Sequence, residues 1–251
     1  MKHAPLSVEW IREAGFEELL RHADERFGVR FDPVTIGGST LEVLQFADLE
    51  EYIDRLAEAT REEQRLELPF WAKIWPTSIL LSHSLLKMTP DPSREMLEIG
   101  AGIGLCGLFA AKHGFKVTIS DNEPEALLFA QIGILRNNLQ DRADIALVDF
   151  TKDRMERRFP LLIGSEVLYR ETDYRPLIKF LQHHIETSSD AAVMLAKDYK
   201  LGAKKFFKLA EPEFSWQQKT LGYRERSGRE EQGEERHLCT IYTLKPKKCS
   251  A

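Results

Sequence analysis

The sequence predicts an α/β fold. It consists of a seven-stranded sheet, mostly parallel with an antiparallel C-terminal edge, helices on both faces, and a helical and hairpin-bearing extension before it. Three observations predict this. From Glu95 onward, short β-type runs alternate with helix-period segments, the pattern of a parallel sheet flanked by helices. A glycine-rich stretch, Leu97 to Gly107, stands where a strand hands over to a helix. The last two β-runs have no helix between them, so they pair antiparallel. The 251 residues suffice for a large buried core. The expected division is an extension over 1–90 and a core over 91–251.

The elements follow in order. Ser7 is placed to cap a helix carrying Trp10, Ile11, Phe16, Leu19 and Leu20 at helical spacing. Two β-runs around Gly37-Gly38, from Val34 to Leu44, read as a hairpin. Asp48 to Ala59 reads as an amphipathic helix with Leu49, Tyr52, Ile53 and Leu56 on one face. Leu68 to Thr77 packs three aromatics and two prolines into ten residues. It serves either as a clamp between the extension and the core or as a ligand lining. A helix over Ser78 to Met88 is broken by Pro90-Asp-Pro-Ser. Then come strand 96–99, helix 105–113 stopped by Gly114, strand 116–120, helix 124–137 and strand 144–148. Strand 161–165, helix 174–186, strand 191–196 and helix 202–210 complete the alternation. Strands 214–220 and 238–244 flank a polar stretch, Arg224 to Arg236, expected as a mobile loop.

Composition excludes several classes. Thirty-five Lys+Arg against 40 Asp+Glu leave a net charge of −5, so no nucleic-acid partner is expected. No apolar run reaches membrane-span length, and the first residues lack the apolar core of a leader. A cytoplasmic monomer without membrane contact is expected. The three cysteines, Cys106, Cys239 and Cys249, have no C-x-x-C spacing, so neither a disulfide framework nor a zinc cluster is expected. His183 and His184 are adjacent on a helix and point apart, which is poor metal geometry, and no metal is expected.

The glycine loop has two readings. Gly102-x-Gly104-x-x-Gly107 with Asp121 19 residues after Gly102 is a dinucleotide pattern, weak taken alone. Read instead as Glu98-x-Gly100-x-Gly102-x-Gly104, it suits S-adenosylmethionine. That cofactor carries a sulfonium and an ammonium but no phosphate, so acids near the loop favour it and would repel a pyrophosphate. Asp121, with Asn122 beside it, would accept both ribose hydroxyls. Asp149 would face the adenine amine, and Phe150 its ring. Each acid alone is more often a helix or turn cap than a ligand. Their joint placement at successive strand ends favours the S-adenosylmethionine reading, because open α/β sheets bind ligands there.

Three stretches carry a resemblance. They are Phe70-Trp71-Ala72-Lys73-Ile74-Trp75-Pro76, Leu97 to Gly107, and Ser165-Glu166-Val167-Leu168-Tyr169. Together they resemble the seven-β-strand class I methyltransferases with their Rossmann-like sheet, and within them the family-16 protein lysine methyltransferases. The last stretch matches that family's (D/E)-x-x-(Y/F) signature. The resemblance spans roughly 68–199. It implies S-adenosylmethionine as cofactor, S-adenosylhomocysteine as product and a protein as substrate. It also implies Glu166 and Tyr169 as the catalytic pair, Ser165 touching the cofactor by its backbone, and Trp75 covering it, with Thr77 nearby. The chain departs from the family where Phe159-Pro160 stands in place of an acid at the fourth strand's start. It also lacks the N-P-P-Y motif of enzymes acting on amide or base nitrogens.

A lysine acceptor must be neutral, and with a pKa of about 10.4 only about one in a thousand is neutral at physiological pH. A desolvated aromatic channel and a nearby sulfonium both lower that value. Tyr169, Trp75 and Phe150 are the expected walls. Glu166 would orient the ammonium first and accept its proton second. The alternatives kept open are a small-molecule or other protein-nitrogen methyltransferase, a non-catalytic S-adenosylmethionine-binding module, and a nicotinamide oxidoreductase. The extension and the 224–236 loop are the expected substrate contacts.

Overall fold

A computed structural model describes residues 6–59, 68–225 and 235–247. The predicted first helix is two. Helix α1 (Val8–Glu13) is capped by Ser7, whose Oγ accepts the Trp10 N–H, and α2 (Phe16–Phe27) restarts after Gly15. Ala14 and Gly15 are extended, and the break lets Ile11 on one helix and Leu19, Ala23 and Phe27 on the other all reach the core. The apolar spacing ran on across the glycine and concealed the break. Strands β1 (Val29–Ile36) and β2 (Ser39–Phe46) form the hairpin. Its turn uses Gly37 and Gly38 at φ of +57° and +82°, which L side chains avoid. Helix α3 (Leu49–Ala59) begins where Asp48 accepts the Glu51 N–H. Helix α4 (Pro76–Leu85) starts two residues before Ser78, because Pro76 is pre-set for a helix's first position.

The core alternates as read. It runs β3 (Glu95–Glu98), α5 (Leu105–His113), β4 (Lys116–Asp121), α6 (Pro124–Arg136), β5 (Ala143–Leu147), β6 (Leu161–Ser165), α7 (Tyr174–His184), β7 (Ala192–Asp198), α8 (Lys204–Ala210), β8 (Phe214–Glu225) and β9 (Glu235–Pro246). The seven-stranded sheet has the order β5-β4-β3-β6-β7-β9-β8, parallel through β7 and antiparallel at β9 and β8. Chain direction across the sheet reverses between β3 and β6, which opens a crevice at their carboxyl ends. The expected 224–236 loop is partly strand, since the ladder continues through Arg224↔Arg236 and Glu225↔Glu235. The rest of that expected loop, 226–234, lies outside the described residues. Among the described residues no helix is long and apolar enough to cross a membrane.

The extension and the core share one apolar cluster on the α5–α6 side of the sheet. Phe27, Phe46, Trp71 and Phe129 pack mutually with ring centroids 5.2 to 6.0 Å apart. Asn137 at the end of α6 joins the hairpin by two backbone bonds. Its Nδ2 donates to Glu42 O (2.9 Å), and its Oδ1 accepts the Glu42 N–H (3.0 Å). Helices α7 and α8 cover the other face. Buried His184 ties that face to the loop after β5. Its Nε2 accepts the Met155 N–H, so Nδ1 carries the proton toward Phe180 O.

Candidate active site

The glycine loop leaves β3 between the ends of β4 and β6. The Ala101 N–H bonds Ser120 O, and the Ile99 N–H bonds Ile163 O. Gly100, Gly102 and Gly104 hold φ of +55°, +57° and +78°. A Cβ on Gly100 would meet Val167 at 2.8 Å, and one on Gly102 the Trp71 carbonyl oxygen at 2.7 Å. The aromatic segment therefore lies directly on the loop. Trp71 is its clamp to the extension, and Trp75 faces the site.

The strand-end acids lie around this loop in different states. Buried Glu98 points behind it, where Oε2 accepts the Gly107 N–H at 2.7 Å. Burial pushes its carboxyl up to about 8. It already occupies the amide at the α5 N-terminus that a pyrophosphate would need. Asp121 is also buried and its pKa is raised by that burial. Oδ2 accepts the Gly102 N–H (2.7 Å) and Oδ1 the Glu123 N–H (3.0 Å). The Asn122 N–H bonds the same carboxylate, and all three backbone bonds pull its pKa down against burial. Asn122 beside it is exposed. Asp149 caps its own turn, accepting the Thr151 N–H at 2.9 Å and pairing with Lys152 at 2.8 Å. Burial pushes its pKa up, but bonds from Lys152 and Thr151 outweigh this and hold it below the ordinary value. Phe150 lies 4.0 Å from the position of a Gly100 Cβ, at the edge of the loop.

On the other side of the switch point, Glu166 follows β6 with a left-handed φ of +57°. That conformation costs a non-glycine residue roughly 1–3 kcal/mol and concentrates at functional sites. Its backbone N–H bonds Ala196 O, and its Oε1 accepts the Asp198 N–H at 2.8 Å. Burial raises its carboxyl, against the lowering pull of the Asp198 N–H and of Lys197. Ser165 Oγ donates to Thr77 Oγ1 at 2.9 Å. A cavity of about 120 Å³ opens there, lined by Trp75, Thr77, Glu166, Asp198, Leu201 and Leu238 among others. It is a small slot between the start of α4 and the carboxyl ends of β6 and β7.

The expected walls separate. Trp75 lines the slot, Phe150 borders the glycine loop, and Tyr169 is 64% exposed with Arg170 over its ring. Sequence reasoning missed Lys197 as part of the site. Its buried Nζ donates to Leu168 O at 2.6 Å and holds the Glu166–Tyr169 turn. It also missed Asp198, Leu201 and the β9 residues, because the antiparallel pairing Asp198↔Cys239 is non-local.

A family model described as lysine methyltransferase matches residues 59–213. The chain belongs to that family. The methyl donor of these lysine methyltransferases is S-adenosylmethionine, which bears the cationic groups the strand-end acids suit. The chain is 31% identical to protein N-lysine methyltransferase METTL21A of Danio rerio, over half of this chain and 59% of that protein. It is 30% identical to histone-arginine methyltransferase METTL23 of Rattus norvegicus, over 47% of this chain and 55% of that protein. The chain thus spans between half and three fifths of the length of these curated relatives. In fold it is similar to the N-methyltransferase NodS of Bradyrhizobium japonicum in complex with S-adenosylhomocysteine. The TM-score is 0.52 at 16% identity, covering 80% of this chain and 99% of that one.

Proposed function

We propose that this chain is an S-adenosylmethionine-dependent methyltransferase that places the methyl group on a lysine side-chain amine of a protein. The observation that carries the reading is the small slot at the carboxyl ends of β6 and β7, with Glu166 strained and fixed at its wall by the Asp198 N–H. Gly100, Gly102 and Gly104 would let the backbone approach the cofactor. Asp121 and Asn122 would take the ribose, Asp149 and Phe150 the adenine, and Ser165 and Trp75 the methyl-bearing end. Glu98 would act by holding the loop from behind. Residues 1–90 would form an extension that clamps this loop through Trp71, and 91–251 the catalytic core.

S-adenosylmethionine, when bound, supplies an electrophilic methyl group that one in-line displacement moves to the acceptor. The chain must orient the amine, exclude water and remove a proton. Trp75 would form an apolar wall that lowers the amine's pKa by desolvation. Glu166, whose carboxylate is held by the Asp198 N–H and by Thr77, would bind the arriving ammonium with its remaining acceptor capacity. Its carboxyl, raised by burial, is a stronger base than an exposed glutamate and suits proton removal. Tyr169 would flank the acceptor at the rim.

Lysine is favoured over arginine by the same geometry. A guanidinium prefers both oxygens of a carboxylate, and Glu166 Oε1 is already engaged by Asp198. The test is transfer of labelled methyl from S-adenosylmethionine to a cell extract, with protease and nuclease controls. Glu166→Gln is the companion variant, and S-adenosylhomocysteine binding is measured for both. The expected result is protease-sensitive label, lost in the variant with cofactor binding retained. Label only in small molecules would move the assignment to a small-molecule methyltransferase. Cofactor binding without any label would leave a binding module, and NADH binding without S-adenosylhomocysteine binding would reverse the loop reading.

A further inference from the structure

On the outer face of the sheet a second cavity, about 440 Å³, runs between α8 and the β8–β9 edge. Its floor is aromatic. The Phe207 ring lies 4.5 Å from Trp216 and 4.2 Å from Tyr242, centroid to centroid. Tyr199 stands over it 57% exposed, Trp216 is 42% exposed, and Leu201 in the adjoining turn is 56% exposed. Large apolar side chains gathered in one exposed patch mark an interaction surface more than a solvated one does.

The groove leads to the catalytic slot. Along β9, Tyr242 lies opposite Leu195 and Thr240 opposite Lys197 in the β7 ladder, and both line the groove. Leu238, the next residue on that face, lines the slot. The turn after β7 divides the same way, with Asp198 and Leu201 at the slot and Tyr199 and Gly202 at the groove. Trp216 sits across β9 at the level of Val193. From that level to Asp198 is five strand residues, about 17 Å, the reach of about five residues of extended peptide.

Charge separates along this path. The slot is acidic, with Glu166 and Asp198. The groove wall nearest to it is basic. Lys204 and Lys208 lie one helical turn apart on α8, and neither makes an ion pair among the described residues, whereas Lys205 turns away to pair with Glu171. Glu211 lies at the far end of α8, past this basic stretch.

We infer that this groove holds an extended segment of the protein substrate, with acidic residues and an aromatic side chain within about five positions of the methylated lysine. The inference rests on the protein-lysine reading above. The lysine enters the acidic slot, the substrate's acids meet Lys204 and Lys208, and its aromatic ring lies on Phe207, Trp216 and Tyr242. This arrangement sets substrate choice by opposite charges at the two ends of one path.

The test uses the full chain and two synthetic peptides. One carries a central lysine with two glutamates and a phenylalanine within five residues, and the other has glutamines for the glutamates. Methyl transfer is measured at low and high salt for the wild type and for the Lys204→Glu/Lys208→Glu double variant, with S-adenosylhomocysteine binding as the control. The expected result is at least about tenfold higher kcat/KM for the glutamate peptide, read mainly in KM and shrinking with salt. The double variant reverses or abolishes that preference at wild-type cofactor affinity. Equal use of both peptides, or a preference that survives the double variant, overturns the groove assignment while leaving the methyltransferase reading intact. A wild type that labels no lysine in peptide or extract removes the protein-lysine reading itself, and the groove assignment with it.

Discussion

Replacing Glu98 by glutamine tests whether the carboxyl behind the glycine loop is protonated. It is buried, accepts the Gly107 N–H at 2.7 Å, and burial raises it from about 4.5 to about 8. Between those values the folded chain holds a proton that the unfolded chain has released. Stability from this group is therefore complete below about pH 4.5 and lost as pH rises through about 8. At about 1.4 kcal/mol per pH unit, the full loss comes to roughly 5 kcal/mol. Glutamine keeps an oxygen for the Gly107 N–H and does not titrate. Denaturant unfolding of both proteins at pH 5, 6.5 and 8 isolates the effect, because Asp121 and the other groups titrate in both. The expected outcome is near-equal stability at pH 5 and an advantage for the variant at pH 8 of a few kcal/mol. A difference that stays constant with pH would show Glu98 ionised throughout and would refute the reasoning.

Three further outcomes follow from other parts of the site. Gly102→Ala forces a side chain into a φ of +57° and 2.7 Å from the Trp71 carbonyl oxygen. Calorimetry should show at least about tenfold weaker S-adenosylhomocysteine binding with a lowered Tm, on the scale of 1–3 kcal/mol for overpacking and strain. Lys197→Met removes the short bond to the Leu168 carbonyl, which keeps only the longer one from Tyr174 Oη (3.4 Å), and removes the cation that pulls the Glu166 pKa down. It should cost about 1–3 kcal/mol in denaturant, and the acidic limb of the methyl-transfer pH profile should move to higher pH. Asn137→Ala removes both bonds to Glu42 and should cost about 2 kcal/mol by denaturant unfolding with methyl transfer retained.

The legible parts of this fold were those punctuated locally. Helix α5 and strand β6 begin and end where read, since Gly104 and Gly114 bracket the one and Pro160 precedes the other. The α1–α2 break was hidden because one glycine did not interrupt the apolar spacing. Strands β8 and β9 run longer than their hydrophobic patterns. The residues beyond the read 214–220 and 238–244 include Gly222, Arg224, Glu225, Glu235, Arg236 and His237, a stretch with no apolar alternation to mark it as strand. In the site, Glu98, Asp121, Asp149 and Glu166 could be located because an acid at a strand end is a local feature. Their states could not. Whether a carboxyl faces the crevice or a backbone amide depends on contacts such as Gly107 to Glu98 or Asp198 to Glu166, which only the folded register creates. Lys197 carries no local signal of a role in the site, and its bond to Leu168 O makes it a support for the Glu166 turn.

On the function proposed above, the amine entering the Glu166 slot belongs to lysine. The most direct measurement is complete hydrolysis of the methyl-labelled protein product, followed by separation of the labelled amino acids. The label is expected to co-migrate with methylated lysine and to be lost with Glu166→Gln. Label in methylarginine or methylhistidine would contradict it.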